Sequence, residues 1–160
     1  MGNGLKFVCA ECGEEYSVDY GIGFGFPRVY KKCIQALKKG KYGSEWKELF
    51  LSNKYAVIDA ESYVYLCKKC GHWEVEEGLS LYVPKNPEKI LKRIKEAGKD
   101  FYVMSDELKY NYRLLKRRIH KCSKCGKVMH KANSEEEFFL KCPKCGTKPR
   151  LGNVFPVYWD

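Results

Sequence analysis

Residues 121–146 read KCSKCGKVMHKANSEEEFFLKCPKCG. Two Cys-x-x-Cys-Gly units stand here with 16 residues between them: Cys122/Cys125 followed by Gly126, and Cys142/Cys145 followed by Gly146. Thiolates three residues apart grip one metal ion from a tight turn. The glycine lets the backbone pass under the sulfurs at positive φ. The separation fits the spacing of two half-sites that close one four-sulfur zinc site. The stretch therefore predicts a compact ribbon, with Lys127–Met129 and Phe138–Leu140 as its two short strands.

Outward from this stretch the same unit recurs at Cys9/Cys12 with Gly13 and at Cys67/Cys70 with Gly71. By elimination these pair with each other across 54 residues. That is a long insertion, but each doubling of a loop costs only about 0.6 kcal/mol. The expectation is two Zn2+ per chain, held by Cys9, Cys12, Cys67 and Cys70 and by Cys122, Cys125, Cys142 and Cys145. A cross-braced pairing, first with third and second with fourth, is the alternative. Iron is the rival metal. Phe7–Gly21 resembles the first knuckle of rubredoxin and Cys142–Gly146 the second, yet 129 residues separate them and the expected pairing puts them in different lobes. Four repeated pairs do not suit a thioredoxin-like redox site. Nine cysteines, an odd number, do not suit a disulfide framework.

The fold class this predicts is α+β: two small zinc-stabilised lobes, each built on a four-cysteine ribbon, the first with a helical insertion. The boundary is expected at Pro84–Pro87, giving lobes 1–84 and 85–160. Helices are expected over 28–39, with Val29, Cys33, Ala36 and Leu37 on one stripe. Further helices follow from Ser44 and from Asn86-Pro87 to Ala97. Strands are expected at 7–8, 14–19, 55–58, 62–66, 72–75, 79–83, 101–104 and 154–159. The stretch 106–121 carries both periodicities and is read as a strand running into Cys122. The glycine-rich loop 21–27 lacks the phosphate-binding fingerprints and is read as a bend that lets Phe24 and Phe26 pack. Cys33 is read as a core cysteine, and His72, His120 and His130 as non-ligands.

The chain carries 30 Lys/Arg against 20 Asp/Glu, a formal net charge of +10. Residues 1–84 are balanced at 11 and 11, whereas residues 85–160 hold 19 cations and 9 acids. Two zinc–tetrathiolate centres, about −2 each, lower the total to about +6. Residues 109–134 hold nine cations and no acid, interleaved with Tyr110, Tyr112 and His120. This predicts nucleic-acid binding, DNA or RNA, through Arg113, Lys116, Arg117, Arg118, Lys121, Lys124 and Lys127. A protein-docking or adaptor role is the alternative. No catalytic constellation stands out, and four thiolates leave a zinc no open position, so an enzyme is not expected. No membrane span or signal peptide is recognisable, which points to the cytoplasm.

The four knuckles resemble the zinc-ribbon class. Their order also resembles a group of small bacterial proteins with a knuckle, a Gly-x-Gly loop, a helical insert, a second knuckle reading Cys-Gly-His-Trp, and a C-terminal ribbon. Cys67–Trp73, Gly40–Trp46 and Cys122–Met129 carry that likeness. It covers most of the chain and implies metal ligation by the eight knuckle cysteines, without implying an activity.

Overall fold

The computed structural model describes residues 2–159. Its strands are β1 (Gly2–Val8), β2 (Glu15–Gly21), β3 (Val57–Ile58), β4 (Ser62–Leu66), β5 (Trp73–Glu77), β6 (Leu81–Pro84), β7 (Tyr112–Lys116), β8 (His130–Lys131) and β9 (Val154–Trp159). Its helices are α1 (Phe26–Lys38), α2 (Ser44–Ser52), α3 (Pro87–Ala97) and α4 (Ser105–Asn111). The mixed α+β class, with antiparallel sheets and two separate four-cysteine clusters, is as expected.

The division of the chain differs from a cut near residue 84. One compact unit comprises Met1–Phe24, Ser62–Glu76 and Ile119–Asp160; the other comprises Gly25–Glu61 and Glu77–Arg118. Both cysteine clusters fall in the first unit, and all four helices in the second. The two units interleave along the sequence because the first is assembled from hairpins whose connections carry the second.

The first unit is a sheet in the order β5-β4-β2-β1-β9, with β8 also paired to β4. Strand alternation decides its inner face. Leu5 and Phe7 of β1 lie opposite Val18 and Tyr16 of β2, and all four are buried. The Phe7 and Tyr16 rings stack with centroids 4.7 Å apart. Val64, Ala132 and Leu140 complete this core, and Cys9 and Cys142 join it. A smaller core of Tyr65, Cys67, Cys122 and Met129 lies under the other cluster. Strand β9 lies at the sheet edge and, among the described residues, pairs only with β1, with Pro156 opposite Leu5. A proline has no N–H for a ladder, so it is tolerated at an edge. The Trp159 indole lies over Gly2 and Gly23, where added Cβ atoms would stand 2.1 and 2.3 Å from it, and its Nε1 donates to Asn3 O at 3.0 Å. The glycine loop thus makes room for Trp159. Phe26 is buried, as expected, whereas Phe24 is exposed.

The second unit packs helices around a sheet in the order β3-β6-β7. Helix α1 buries Phe26, Tyr30, Cys33 and Leu37, one stripe at spacings of four, three and four. Pro27 occupies its first turn. The expected stripe is displaced by a few residues: Cys33 and Leu37 are core, while Val29 and Ala36 are half-buried. Helix α2 begins at Ser44, but its N-cap is Gly43 at φ 109 and no side chain caps it. Trp46 on α2 is buried, and its Nε1 donates to Leu79 O at 2.8 Å. Helix α3 starts as expected: the Asn86 side chain accepts from Lys89 N at 3.2 Å, and Pro87 follows. Arg93 on α3 forms a forked ion pair with Glu107 on α4 and donates to Tyr102 O at 3.1 Å. Residues 101–104 are irregular rather than a strand. The ambiguous stretch is split: 105–111 is helical and 112–116 is strand. Its helical spacing belongs to Leu108, and its alternation begins at Tyr112. Among the described residues no helix is long and apolar enough to cross a membrane.

Candidate metal centres

All four Cys-x-x-Cys-Gly units fold into the same turn. In each, the first cysteine N–H donates to the carbonyl five residues on, at 2.8–2.9 Å, and the glycine N–H donates back to that cysteine's carbonyl, at 2.8–2.9 Å. The four glycines have φ of 70–75°, a conformation a side chain would oppose. The knuckle is thus encoded locally. Three bonded or bridged strand ends present them: β1–β2 carries the first, β4–β5 the second, and the isolated Lys121↔Val128 bridge the third. The fourth follows Leu140, whose carbonyl accepts from the Tyr16 hydroxyl at 2.8 Å.

The pairing is nested, not sequential. Cys9, Cys12, Cys142 and Cys145 form one cluster; Cys67, Cys70, Cys122 and Cys125 form the other. The expected ribbon over 121–146 does not form. Its two knuckles join different partners, because the residues between them are drawn elsewhere. His130–Lys131 adds to β4 opposite Tyr65–Leu66, and Ala132 N donates to Val64 O at 2.8 Å. A short 3-10 turn follows over Glu136–Phe139, and the Asn133 side chain ahead of it accepts from the Glu135 and Glu136 N–H groups. Leu140 enters the Phe7–Tyr16–Val18 core and delivers Cys142 to the first knuckle. The cross-braced alternative fails for the same reason. A signal for the nested pairing is present in the rubredoxin likeness of the first and fourth knuckles, which are indeed partners.

Within each cluster all four sulfurs lie within 4.8 Å of one another. Cys9–Cys145 and Cys12–Cys142 are 3.5 and 3.7 Å apart; Cys67–Cys125 and Cys70–Cys122 are 3.5 and 3.6 Å. A disulfide needs about 2.0 Å. A tetrahedron with metal–sulfur bonds of about 2.3 Å has edges of about 3.8 Å. The distances match that edge, and four soft sulfur donors suit zinc, with iron the other metal of such a set. Each cluster is closed by protein ligands, the arrangement of a structural rather than a catalytic ion. The thiols are also poised for a cation. The Cys70 N–H lowers the Cys67 thiol to about 6, and the Thr147 hydroxyl and N–H lower Cys145 to about 6. Their neighbours move the other way. Although the Glu14 N–H pulls Cys12 down, desolvation and the surrounding sulfurs push it up to about 12. Cys70 is likewise pushed up to about 11 against the pull of the His72 N–H. Cys67 and Cys145 thus lie nearer the thiolate, and a divalent ion would have to displace the protons of Cys12 and Cys70.

The groups around the ligands hold the knuckles together. Glu74 receives the Ser123 N–H at 3.0 Å and the Ser123 hydroxyl, and the same carboxylate oxygen meets His72 Nε2 at 3.0 Å. Ser123 and Glu74 both approach the imidazole at Nε2, whereas a hydrolytic relay uses its two nitrogens separately. This trio clamps the second knuckle to the third. His120 is buried, stacks on Tyr65 with centroids 3.8 Å apart, and pairs through Nδ1 with Glu76 at 2.8 Å. His130 pairs with Glu136 at 2.9 Å. None of the three histidines enters a cluster, and Cys33 is a buried thiol outside both. No local pattern signals the Glu74 clamp, since its partner lies 49 residues away.

The seven cations expected to contact nucleic acid do not share a unit. Arg113, Lys116, Arg117 and Arg118 belong to the helical unit; Lys121, Lys124 and Lys127 belong to the metal unit. Lys116 pairs with Glu45 at 2.8 Å, and the Arg118 guanidinium lies 5.4 Å from the Trp46 ring centroid. Comparison with known proteins found no matching protein-family model, no matching curated protein and no matching solved structure.

Proposed function

We propose that the protein is a zinc-stabilised nucleic-acid-binding module in which the two four-cysteine sites are structural and the helical unit carries the contact. The supporting observation is the distribution of charge between the units. The metal unit holds 11 Lys/Arg and 10 Asp/Glu, so two zinc–tetrathiolate centres take it from +1 to about −3. The helical unit holds 19 Lys/Arg and 10 Asp/Glu, a net +9. Two lysines of the metal unit lie beside the knuckles. Lys141 Nζ would stand 2.7 Å from a Cβ on Gly71, which adjoins Cys70, and Lys144 pairs with Glu14 at 3.1 Å. The helical unit has no such anion to offset, and its surplus suits a polyphosphate.

The test is a salt titration of binding to labelled single-stranded and duplex oligonucleotides. Lys32, Lys39 and Lys41 line one cavity beside α1. Changing all three to Gln should lower the slope of log K against log salt by about 2 to 3, at about 0.7–0.9 per phosphate contact. Changing Lys121, Lys124 and Lys127 to Gln should leave the slope nearly unaltered. Binding that ignores salt, or that responds only to the second set, overturns this assignment. The adaptor reading has one observation in its favour: Phe155 and Tyr158 on edge strand β9 are 49% and 71% exposed. It requires a protein partner held with little salt dependence.

A further inference from the structure

We infer that the groove of about 390 Å3 bordered by α1, the end of α2 and the segment after α3 receives bases of a single-stranded nucleic acid. This deepens the reading of the helical unit as the nucleic-acid-binding part and rests on it.

The walls of the groove are aromatic and its rim is cationic. Phe50, Tyr55 and Phe101 line it, each half-buried. Lys31 and Lys38 border it from α1, two turns apart and therefore on one face, and Lys99 borders it from the segment after α3. None of the lining residues is acidic. Tyr55 adopts φ 64, a left-handed conformation unusual for an aromatic residue, so the chain holds this ring in place against its backbone preference. Two further cations already sit beside the rings: Lys54 Nζ is 5.0 Å from the Tyr55 centroid, and Arg93 is 5.5 Å from that of Phe101.

Apolar ring faces attract the π-face of any base, while ammonium groups at the rim take the phosphates between bases. A ligand needs both features to use the site fully. Acidic peptides bring charge but few flat rings. Duplex DNA brings phosphates but keeps its bases stacked and paired. A single strand supplies both, and the volume lies in the range of small-molecule sites. The charge complementarity extends beyond the groove, since the unit around it carries +9.

The experiment uses the full chain with its metal. Probes are an oligothymidylate, an oligouridylate, a duplex of the same length and polyglutamate. Two substitutions remove rings with least disturbance: Tyr55→Asn, because Asn tolerates left-handed φ, and Phe101→Leu. The wild type should bind the single strands at least tenfold more tightly than duplex or polyglutamate. The double variant should lose at least tenfold for single strands, with salt slope, duplex affinity, helical circular dichroism and zinc content retained. Preference between the DNA and RNA strands would identify the source. Photocrosslinking of wild type to the oligouridylate should label the peptides that contain Tyr55 and Phe101, an answer independent of the variants' stability. Steep salt-dependent binding that the variants leave unchanged, or crosslinks confined elsewhere, would overturn the groove and leave the basic unit standing. Polyglutamate bound as tightly as the strands would point to an acidic protein instead. No salt-dependent oligonucleotide binding at all would remove both.

Discussion

Removing two cysteines at a time distinguishes the nested pairing from every other. Consider three double variants: Cys12→Ala/Cys145→Ala, Cys12→Ala/Cys70→Ala and Cys12→Ala/Cys125→Ala. In the structure the first takes two sulfurs from one cluster and none from the other, whereas the second and third each take one sulfur from both. A four-thiolate zinc site stabilises the folded state by about 10–16 kcal/mol, so an even share is about 3 kcal/mol per sulfur. One lost sulfur therefore weakens a site by roughly a hundredfold, and two lost sulfurs by roughly ten-thousandfold. In a chelator series, Cys12→Ala/Cys145→Ala should keep one zinc with wild-type affinity and lose the other. The second and third variants should lose both ions together at chelator levels the wild type survives. The assay is elemental analysis after dialysis against the graded chelator. If Cys12→Ala/Cys70→Ala keeps one tight zinc, the first and second knuckles are partners and the nested assignment is wrong. If Cys12→Ala/Cys125→Ala does so, the cross-brace is right.

Full chelation should abolish the folded metal unit while the helical unit persists, because all four helices and no cysteine cluster lie there. Far-ultraviolet circular dichroism should keep its helical bands while amides of β1, β2 and β9 exchange rapidly; equal loss of both signals would contradict this. Zinc retention should fall as the solution is acidified. Cys12 and Cys70 sit at about 12 and 11 without metal, so an entering ion displaces their protons, and added protons reverse that. Occupancy against a fixed competitor should be full near neutral pH and decline steadily below it; a flat profile down to about pH 5 would refute the thiolate ligands. Gly23→Ala should cost about 1–3 kcal/mol, since its Cβ would press 2.3 Å from the Trp159 ring. In a Trp159→Ala background the same change should cost almost nothing, and thermal unfolding of the four-member cycle measures the difference.

Local features of this chain were legible; the long-range ones were less so. Each knuckle could be read from five residues, because ligand spacing and the positive-φ glycine are both local requirements. Helix α3 was equally plain, with its Asn86 cap and Pro87 start. Errors arose where tertiary competition decided. The 16-residue spacing between the third and fourth knuckles suited a ribbon, but Leu140 gains more by joining Phe7, Tyr16 and Val18, and Ala132 by bonding to β4. Position along the sequence also misplaced the charge. A cut at residue 84 assigned the surplus to a ribbon, while the interleaved units place most of it with α1 and α3, on both sides of that cut. Residues 105–116 carry two periodicities because they contain two elements, and no single reading could satisfy both.

The nested clusters give synthesis of this chain a fixed order. The inner set is complete once Cys125 has left the ribosome, so it can load while the rest is still being made. The outer set cannot: Cys9 and Cys12 wait through more than 120 further residues for Cys142 and Cys145. During that interval Cys9 and Cys12 stand without their two partner ligands, open to oxidation or to the wrong ion. A chain interrupted between Cys125 and Cys142 would carry the inner set but never the outer one, and would also lack the β9 edge that covers β1. Acquisition of the second metal ion therefore reports that translation has passed Cys145.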